Sequence, residues 1–93
     1  KMSKKPLFKL GQVVATANAL AFANQYQIDL FTLLQRHHLG DWGNLCSDDK
    51  DSNEMALITG GRIFSSYEFE TDKIWIITEA DRSTTTILLP MDY

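Results

Sequence analysis

The stretch RIFSSYEFETDKIWIITEADRSTTTILL, residues 62–89, alternates in polarity and is rich in β-branched and aromatic residues. Alternation with a period of two predicts β-strands, here Arg62–Glu70, Lys73–Thr78 and Thr84–Leu89. Pro90 ends the third strand because proline cannot donate to a strand ladder. Since only short loops separate these strands, we predict a three-stranded antiparallel β-meander.

The residues before the meander change to the spacing of helices. We predict three helices, over Ala17–Tyr26 with Thr16 as its N-cap, from Asp29 to Gly40, and from Ser47 or Asp48 to Gly60 and Gly61. Ahead of them, Phe8–Ala15 is predicted to form a short strand. The fold class is therefore predicted as α+β, with a short N-terminal strand, two to three helices and then the meander.

Length and composition indicate a single folded domain. The chain has 93 residues, of which 44% are hydrophobic and 23% charged, values typical of folded proteins. Within the domain 1–93, we expect residues 1–6 to be flexible, residues 7–60 to hold the first strand and the helices, and residues 61–90 to form the meander. Lys1 precedes Met2, so Met2 is expected to be the natural first residue.

The sequence also limits which cellular compartment and which kinds of chemical site we expect. No apolar run approaches the roughly 20 residues that a membrane helix needs, so no membrane association is expected. Cys46 is the only cysteine, which excludes an internal disulfide and is typical of a reducing cytoplasm. We expect its side chain to be buried as a small hydrophobe. The sequence lacks motifs for phosphate or zinc binding, so we predict no cofactor and no metal.

The charge is unevenly distributed. Four of the nine basic residues lie within the first nine positions, whereas the chain from Leu10 onward carries five basic and twelve acidic residues, a formal −7. Such a body repels phosphate, which disfavours nucleic acid as a partner. The segment Asp41–Glu54 holds five of these carboxylates. It is either a solvated helix start or a surface that imitates nucleic acid or docks on a basic partner.

The second predicted strand is apolar on both faces. Ile74 and Ile76 lie on one face, and Trp75 and Ile77 lie on the other. An antiparallel sheet with one face in water does not have this pattern. Either the helices cover one face and the N-terminal strand the other, or a second subunit covers it, so a homodimer is one hypothesis.

A first polar cluster follows the second predicted helix. His37 continues the inward stripe of that helix, and Asp41 lies just beyond the helix end, within expected hydrogen-bonding reach of the imidazole. A histidine oriented by a carboxylate can act as a general base. The structural alternative is a histidine that binds the last helix carbonyls, with Trp42 closing the core. Asp41 and Trp42 are the candidate binding residues here.

A second polar cluster surrounds the loop between the last two predicted strands. Arg82 could bind a phosphate or a carboxylate, and Glu79 could move a proton. In the structural alternative, Asp81 and Ser83 bond the turn backbone and Glu79 forms an ion pair with Arg82. Asp81 and Arg82 are the candidate binding residues of this cluster.

Four segments carry a resemblance to a known family. These segments are Leu10–Thr16, Gly40–Gly43, Thr78–Ser83 and Thr85–Pro90. With them, the chain resembles a family of small bacterial proteins described as plasmid-related, some of which carry a type I restriction label. The resemblance implies a cytosolic bacterial setting and a link to mobile DNA, and it implies no established activity. A restriction methyltransferase subunit needs a nucleotide-binding parallel sheet, which a meander of this size cannot supply.

Three functional hypotheses follow. The leading one is a small non-enzymatic protein-binding accessory factor of mobile elements, acting through the sheet face or the acidic segment. The alternative is a small ribonuclease-type toxin that uses His37, Glu79 and Arg82. A third is a small-molecule sensor with Arg82 and Trp42 lining its pocket.

Overall fold

The computed structural model describes residues 5–93 and confirms the predicted α+β class. The elements are β1 (Gln12–Ala15), α1 (Ala17–Tyr26), α2 (Leu30–His38), α3 (Ser47–Thr59), β2 (Ile63–Glu68), β3 (Lys73–Thr78) and β4 (Thr84–Leu88), followed by a C-terminal 3-10 turn at Pro90–Asp92. Most of the segment expected to be flexible lies outside the described residues.

The four strands form one mixed sheet in the order β1-β4-β3-β2. As predicted, β2, β3 and β4 pair antiparallel in chain order. The sheet is nevertheless not a three-stranded meander, because β1 joins it as a fourth strand, parallel to β4. The Gln12 amide donates to the Ser83 carbonyl at 2.9 Å, and the Thr16 amide donates to the Ile87 carbonyl at 2.9 Å. The alternative in which the N-terminal strand covers one face of the sheet is therefore wrong, since β1 lies at an edge.

The helix ends follow from local hydrogen bonds. Thr16 Oγ1 accepts from the Ala19 amide at 3.1 Å, and Asp29 Oδ1 accepts from the Phe31 amide at 3.0 Å, so α1 and α2 both begin at a side-chain cap. α3 ends at Gly60, whose φ of +84° is the left-handed geometry that glycine adopts without strain.

The main core lies between the sheet and the first two helices. On the inner face of the sheet, Ile74 and Ile76 of β3 are fully buried. Phe22 of α1 and Leu33 of α2 pack against this face together with Tyr67 of β2. Burying each such side chain contributes about 1.5–3 kcal/mol before the entropy cost. The outer face, which carries Trp75, packs instead against the C-terminal turn and Tyr93.

Hydrogen bonds protect the β2 edge of the sheet. On the β2 edge, Asn53 of α3 donates from Nδ2 to the Phe64 carbonyl at 2.6 Å and accepts from the Phe64 amide at 3.0 Å. The Ser66 amide donates to the Trp42 carbonyl at 3.2 Å, and the Asn44 amide donates to the Ser66 carbonyl at 2.6 Å. Because these backbone groups are already bonded, another strand cannot pair with the β2 edge.

Gly43 makes the close approach at the β2 edge possible. Its φ is +77°, and a Cβ at this position would lie 2.1 Å from the Ser66 carbonyl oxygen. Only glycine can bring the loop this near to β2.

Candidate functional site

His37 lies in the last turn of α2, and its side chain is fully buried. Its Nδ1 lies 2.6 Å from the Ser65 Oγ on β2, and its Nε2 lies 2.9 Å from the Thr78 Oγ1 on β3. From Thr78 the bonds continue to the Thr85 Oγ1 at 2.7 Å, and Thr85 donates to the Leu10 carbonyl at 2.7 Å. His37 therefore belongs to a line of buried polar groups that crosses β2, β3 and β4.

The direction of donation along this line follows from its last member. The Leu10 carbonyl can only accept a hydrogen bond, so Thr85 donates its single hydroxyl proton to that carbonyl. Thr78 must then donate to Thr85 and accept from the Nε2–H of His37. This leaves Nδ1 of His37 as the acceptor for the Ser65 hydroxyl. The hydrogen-bond network thus assigns the Nε2–H tautomer to His37.

Burial keeps the imidazole neutral. It lowers the pKa of His37 to about 3, and the neighbouring His38 contributes further to this decrease. A general base needs a ring nitrogen that can reach the proton it abstracts. Both nitrogens of His37 are already bonded inside the protein. In this conformation His37 connects α2 to the sheet.

The predicted hydrogen bond between Asp41 and His37 is wrong. Asp41 Oδ2 accepts from the Arg36 Nε at 2.7 Å, and Oδ1 accepts from the Gly43 amide at 3.2 Å. The Arg36 guanidinium lowers the pKa of Asp41. The physical reason is direction: His37 points into the sheet, whereas Asp41 lies past the helix end on the exposed surface.

Trp42, the other candidate of the first cluster, is a core residue. Only 4% of it is exposed, and it packs with Ala56 and Ile63 in a second, smaller core. Its Nε1 donates to the Glu54 Oε2 at 2.9 Å. The structural alternative proposed for Trp42 therefore describes its position, and its indole is not available to a ligand at the surface.

Arg82 binds backbone carbonyls. Its Nη1 donates to the carbonyls of Gly61 at 2.6 Å, Glu79 at 3.1 Å and Ala80 at 3.2 Å, and its Nη2 donates to that of Ala56 at 3.2 Å. The last carbonyls of a helix have no partner within the helix and attract cations. The guanidinium thus joins the C-terminal end of α3 to the β3–β4 loop.

The acids of the second cluster also have local roles. Asp81 Oδ1 accepts from the Ser83 amide at 2.9 Å, which stabilises the turn, and the bonds from Ser83 lower the pKa of Asp81. Glu79 accepts from Arg82 through its backbone carbonyl. The predicted ion pair between Glu79 and Arg82 is therefore wrong, since within residues 5–93 the ion pair is that of Arg36 with Asp41.

The two clusters lie at the same end of the sheet, and Phe8 is near both of them. The Phe8 ring centroid lies 5.2 Å from that of His37, and the Arg82 Cζ lies 5.8 Å from the Phe8 centroid. An aromatic ring from the N-terminal segment thus contacts both the histidine and the arginine of the two predicted clusters.

A groove that the sequence did not predict runs along the outer face of the sheet beside α3. It consists of two adjoining depressions, of about 380 Å³ and about 220 Å³, which share Asp49, Phe64 and Trp75. We call them together the outer-face groove. Arg62 and Tyr93 line only the larger depression. The volume of the larger depression lies within the range of ligand sites in proteins.

Three aromatic rings line the larger depression. The Phe64 and Trp75 centroids are 5.2 Å apart with an interplanar angle of 84°, and the Trp75 and Tyr93 centroids are 5.9 Å apart at 77°. The Nη2 of Arg62 donates to the Tyr93 hydroxyl at 3.2 Å. Near-perpendicular rings of this kind form an apolar surface, and the guanidinium of Arg62 lies beside it.

The C-terminal turn holds Tyr93 in place. Asp92 accepts hydrogen bonds from the Thr16 Oγ1 at 2.6 Å, the Asn18 Nδ2 at 2.7 Å and the Leu89 amide at 3.0 Å. These donors lower the pKa of Asp92. The turn is thereby tied to the start of α1, and the residue that follows it packs on Trp75.

Comparisons with family models, curated proteins and solved structures gave no match. The resemblance to plasmid-related proteins therefore stays a prediction. Across residues 5–93, no cluster of His, Cys, Asp and Glu side chains is arranged to hold a metal ion. In the same part of the chain, every helix is too short or too polar to cross a membrane.

The sequence contained an indication of the groove. Trp75 and Ile77 make the second face of β3 apolar, and Asp49 belongs to the acidic segment. What the sequence lacked was the position of α3 relative to the sheet, which brings Asp49 beside Trp75. Cys46, expected to be buried, is exposed and lines the smaller depression.

Proposed function

We propose that the protein is a small non-enzymatic protein-binding factor whose partner docks in the outer-face groove. One observation carries this proposal: the half-buried rings of Phe64 and Trp75 lie next to the exposed carboxylate of Asp49 in a single depression. Aromatic residues are enriched at the centres of protein interfaces and supply most of their binding energy. The sheet face and the acidic segment, considered separately in the sequence, form one surface here.

We further propose that this factor acts as an accessory protein of bacterial mobile elements in the cytoplasm. The support is the resemblance carried by Gly40–Gly43, Thr78–Ser83 and Thr85–Pro90. A protein partner fits the charge of the chain better than nucleic acid does, because the residues after Leu10 carry a formal −7.

The ribonuclease-type alternative ranks below this proposal. It would use His37, Glu79 and Arg82, and the proximity of His37 and Arg82 to Phe8 is in its favour. It would also require the N-terminal segment to move, because His37 is fully buried and Arg82 donates to four backbone carbonyls. The small-molecule sensor with Arg82 and Trp42 has the same difficulty.

The proposal predicts that reversing one charge in the groove abolishes partner capture. Asp49→Lys places a cation beside Trp75, so we expect a protein captured from nuclease-treated bacterial lysate by the wild type to be lost. Asp48→Lys is the matched control, because Asp48 lies in the same helical turn, is exposed and does not line the groove. Quantitative mass spectrometry of the captured proteins measures both variants.

Two results would contradict the proposal. One is equal loss of the captured protein in Asp48→Lys and Asp49→Lys, which would indicate a general charge effect. The other is an identical set of captured proteins for the wild type and Asp49→Lys, which would place binding elsewhere. Circular dichroism spectra establish that both variants remain folded.

A further inference from the structure

The larger depression of the outer-face groove presents two opposite charges, Asp49 and Arg62, whereas Glu68 and Lys73 line only the smaller depression. Asp49 lines both depressions and so lies at their junction, whereas Arg62 lines only the larger depression, at the end where it bonds Tyr93. The half-buried rings of Phe64 and Trp75 line the same depression. One depression therefore combines a cation, an aromatic surface and an anion.

Both charges can bind an additional group. Within residues 5–93, the carboxylate of Asp49 makes no hydrogen bond or ion pair, and Arg62 donates only to the Tyr93 hydroxyl. A guanidinium carries five N–H donors, so most of those of Arg62 face no protein acceptor. The other polar side chains on the walls of the larger depression are already used, since Asn53 bonds both backbone groups of Phe64 and the Ser52 hydroxyl donates to the Asp48 carbonyl. Asp49 and Arg62 are thus the groups of the larger depression that can select a partner by charge.

We infer that the larger depression of the groove binds a short segment of another protein in which a large apolar side chain is flanked by a basic residue, which pairs with Asp49, and an acidic residue, which pairs with Arg62. This inference rests on the proposed function and adds the chemistry of the partner. The apolar side chain packs on Trp75 and Phe64, where a buried aromatic contact supplies affinity. The two charges supply selectivity more than affinity.

Other occupants fit the groove less well. A partner cannot extend the sheet at this edge, because Asn53, Trp42 and Asn44 already bond the outward backbone groups of β2. A second copy of this chain is a poor occupant, because its residues from Leu10 onward carry a formal charge of −7. The acidic first turn of α3 would repel them. Complementary charge is found instead in a segment of mixed sign from a different protein.

Three synthetic peptides test the inference, each with a central phenylalanine and spaced flanking charges: Lys-Ala-Phe-Ala-Glu, Lys-Ala-Phe-Ala-Lys and Glu-Ala-Phe-Ala-Glu, all acetylated and amidated. Because the comparison is between mixed and like charges, the direction in which the peptide binds does not matter. Binding is followed in 15N-resolved NMR spectra through the indole N–H of Trp75. The indole of Trp42, bonded to Glu54 in the core, is the internal control.

We expect the mixed-charge peptide to shift the Trp75 signal, to leave the Trp42 signal in place, and to bind about two- to fivefold more tightly than either like-charge peptide. Asp49→Lys should transfer the preference to the peptide with two glutamates. Arg62→Glu should transfer it to the peptide with two lysines. The same spectra show whether each variant is folded.

Two outcomes would overturn the inference. Equal affinity for the three peptides in the wild type and both variants would show that the groove does not select by charge. A Trp75 signal unmoved by all three peptides would show that such segments do not occupy the groove. If capture of a protein from lysate still depends on Asp49 in either case, the proposed function stands and only the partner chemistry fails. If capture is also independent of Asp49, both fail.

Discussion

At the scale of single residues, His37 shows what a polar side chain requires in a small core. Its two ring nitrogens are bonded to Ser65 and Thr78, and within residues 5–93 no buried side-chain nitrogen or oxygen lacks a partner. A buried polar group left without a partner costs about 1–3 kcal/mol, so each member of the line depends on the next. The Leu10 carbonyl terminates the line and thereby connects the N-terminal segment to it.

The buried imidazole predicts a pH dependence of stability. In the unfolded chain His37 titrates near its ordinary pKa of 6.5, whereas in the folded protein its pKa is about 3. Between these values the unfolded state binds a proton that the folded state does not, so the free energy of unfolding falls as the pH decreases. From pH 6.5 to 4.5 we expect a loss of about 2–3 kcal/mol, measured by urea unfolding at each pH.

His37 and the carboxylates affect the free energy of unfolding over different pH ranges. Asp41, Asp81 and Asp92 have lowered pKa values in the fold, so their contribution is lost only as the pH falls below about 4. His37→Gln should therefore flatten the dependence between pH 4.5 and 6.5. Because that variant could fail to fold, the ring signals of His37 in the wild type provide a second measurement. Titration of these signals near pH 6 would contradict the prediction.

At the scale of elements, α3 depends on Arg82 for its C-terminal end. The helix ends in glycine geometry at Gly60, and the guanidinium donates to the carbonyls of Ala56 and Gly61. The same side chain donates to the Glu79 carbonyl in the β3–β4 loop. Arg82 thus connects the end of α3 to the β3–β4 hairpin. The acidic first turn of α3, which contributes to the groove, belongs to this same helix.

We expect Arg82→Ala to lower the free energy of unfolding by about 2–4 kcal/mol, because four backbone carbonyls lose a charged donor. Urea unfolding measures the loss. Arg62→Ala is the matched control, since Arg62 is exposed and makes one hydrogen bond, and its expected cost is below about 1 kcal/mol. Equal stability of Arg82→Ala and the wild type would show that these bonds contribute nothing and would return Arg82 to the list of ligand-binding candidates.

At the scale of the whole molecule, the sheet has one closed edge and one open edge. The β2 edge is bonded by Asn53 and by the loop around Gly43. Along β1, the outward backbone groups of Val13 and Ala15 make no hydrogen bond within residues 5–93, and Val13 and Val14 are 41% and 39% exposed. An open, uncharged edge strand favours pairing with another strand.

The homodimer hypothesis from the sequence stays a prediction, and the open β1 edge is the surface through which such a dimer would form. Antiparallel pairing of β1 with β1 of a second copy would join two sheets without opposing like charges. We expect light scattering to detect a dimer at high micromolar concentration, and Val14→Lys to be monomeric there because two cations would meet near the two-fold axis. Leu20→Lys, on the exposed side of α1, is the control. A monomeric wild type at that concentration would refute the hypothesis.

The features that the sequence determined are those fixed by neighbours along the chain. The bounds of α1 and β3 agree with the predictions, because a capping threonine and a period of two are local properties. The tight turn around Asp81 and Ser83 also follows from local side-chain bonds. The α+β class follows from the order in which these periods occur.

Tertiary structure alone decided which distant residues meet. Hydrophobic period does not specify that β1 pairs with β4, that His37 reaches Thr78 and not Asp41, or that Arg82 reaches the end of α3. These contacts join residues at least 26 positions apart, and their energy comes from satisfying buried polar groups that local sequence leaves open. The outer-face groove arises in the same way, because the packing of α3 against the β2 edge brings an aspartate beside a tryptophan.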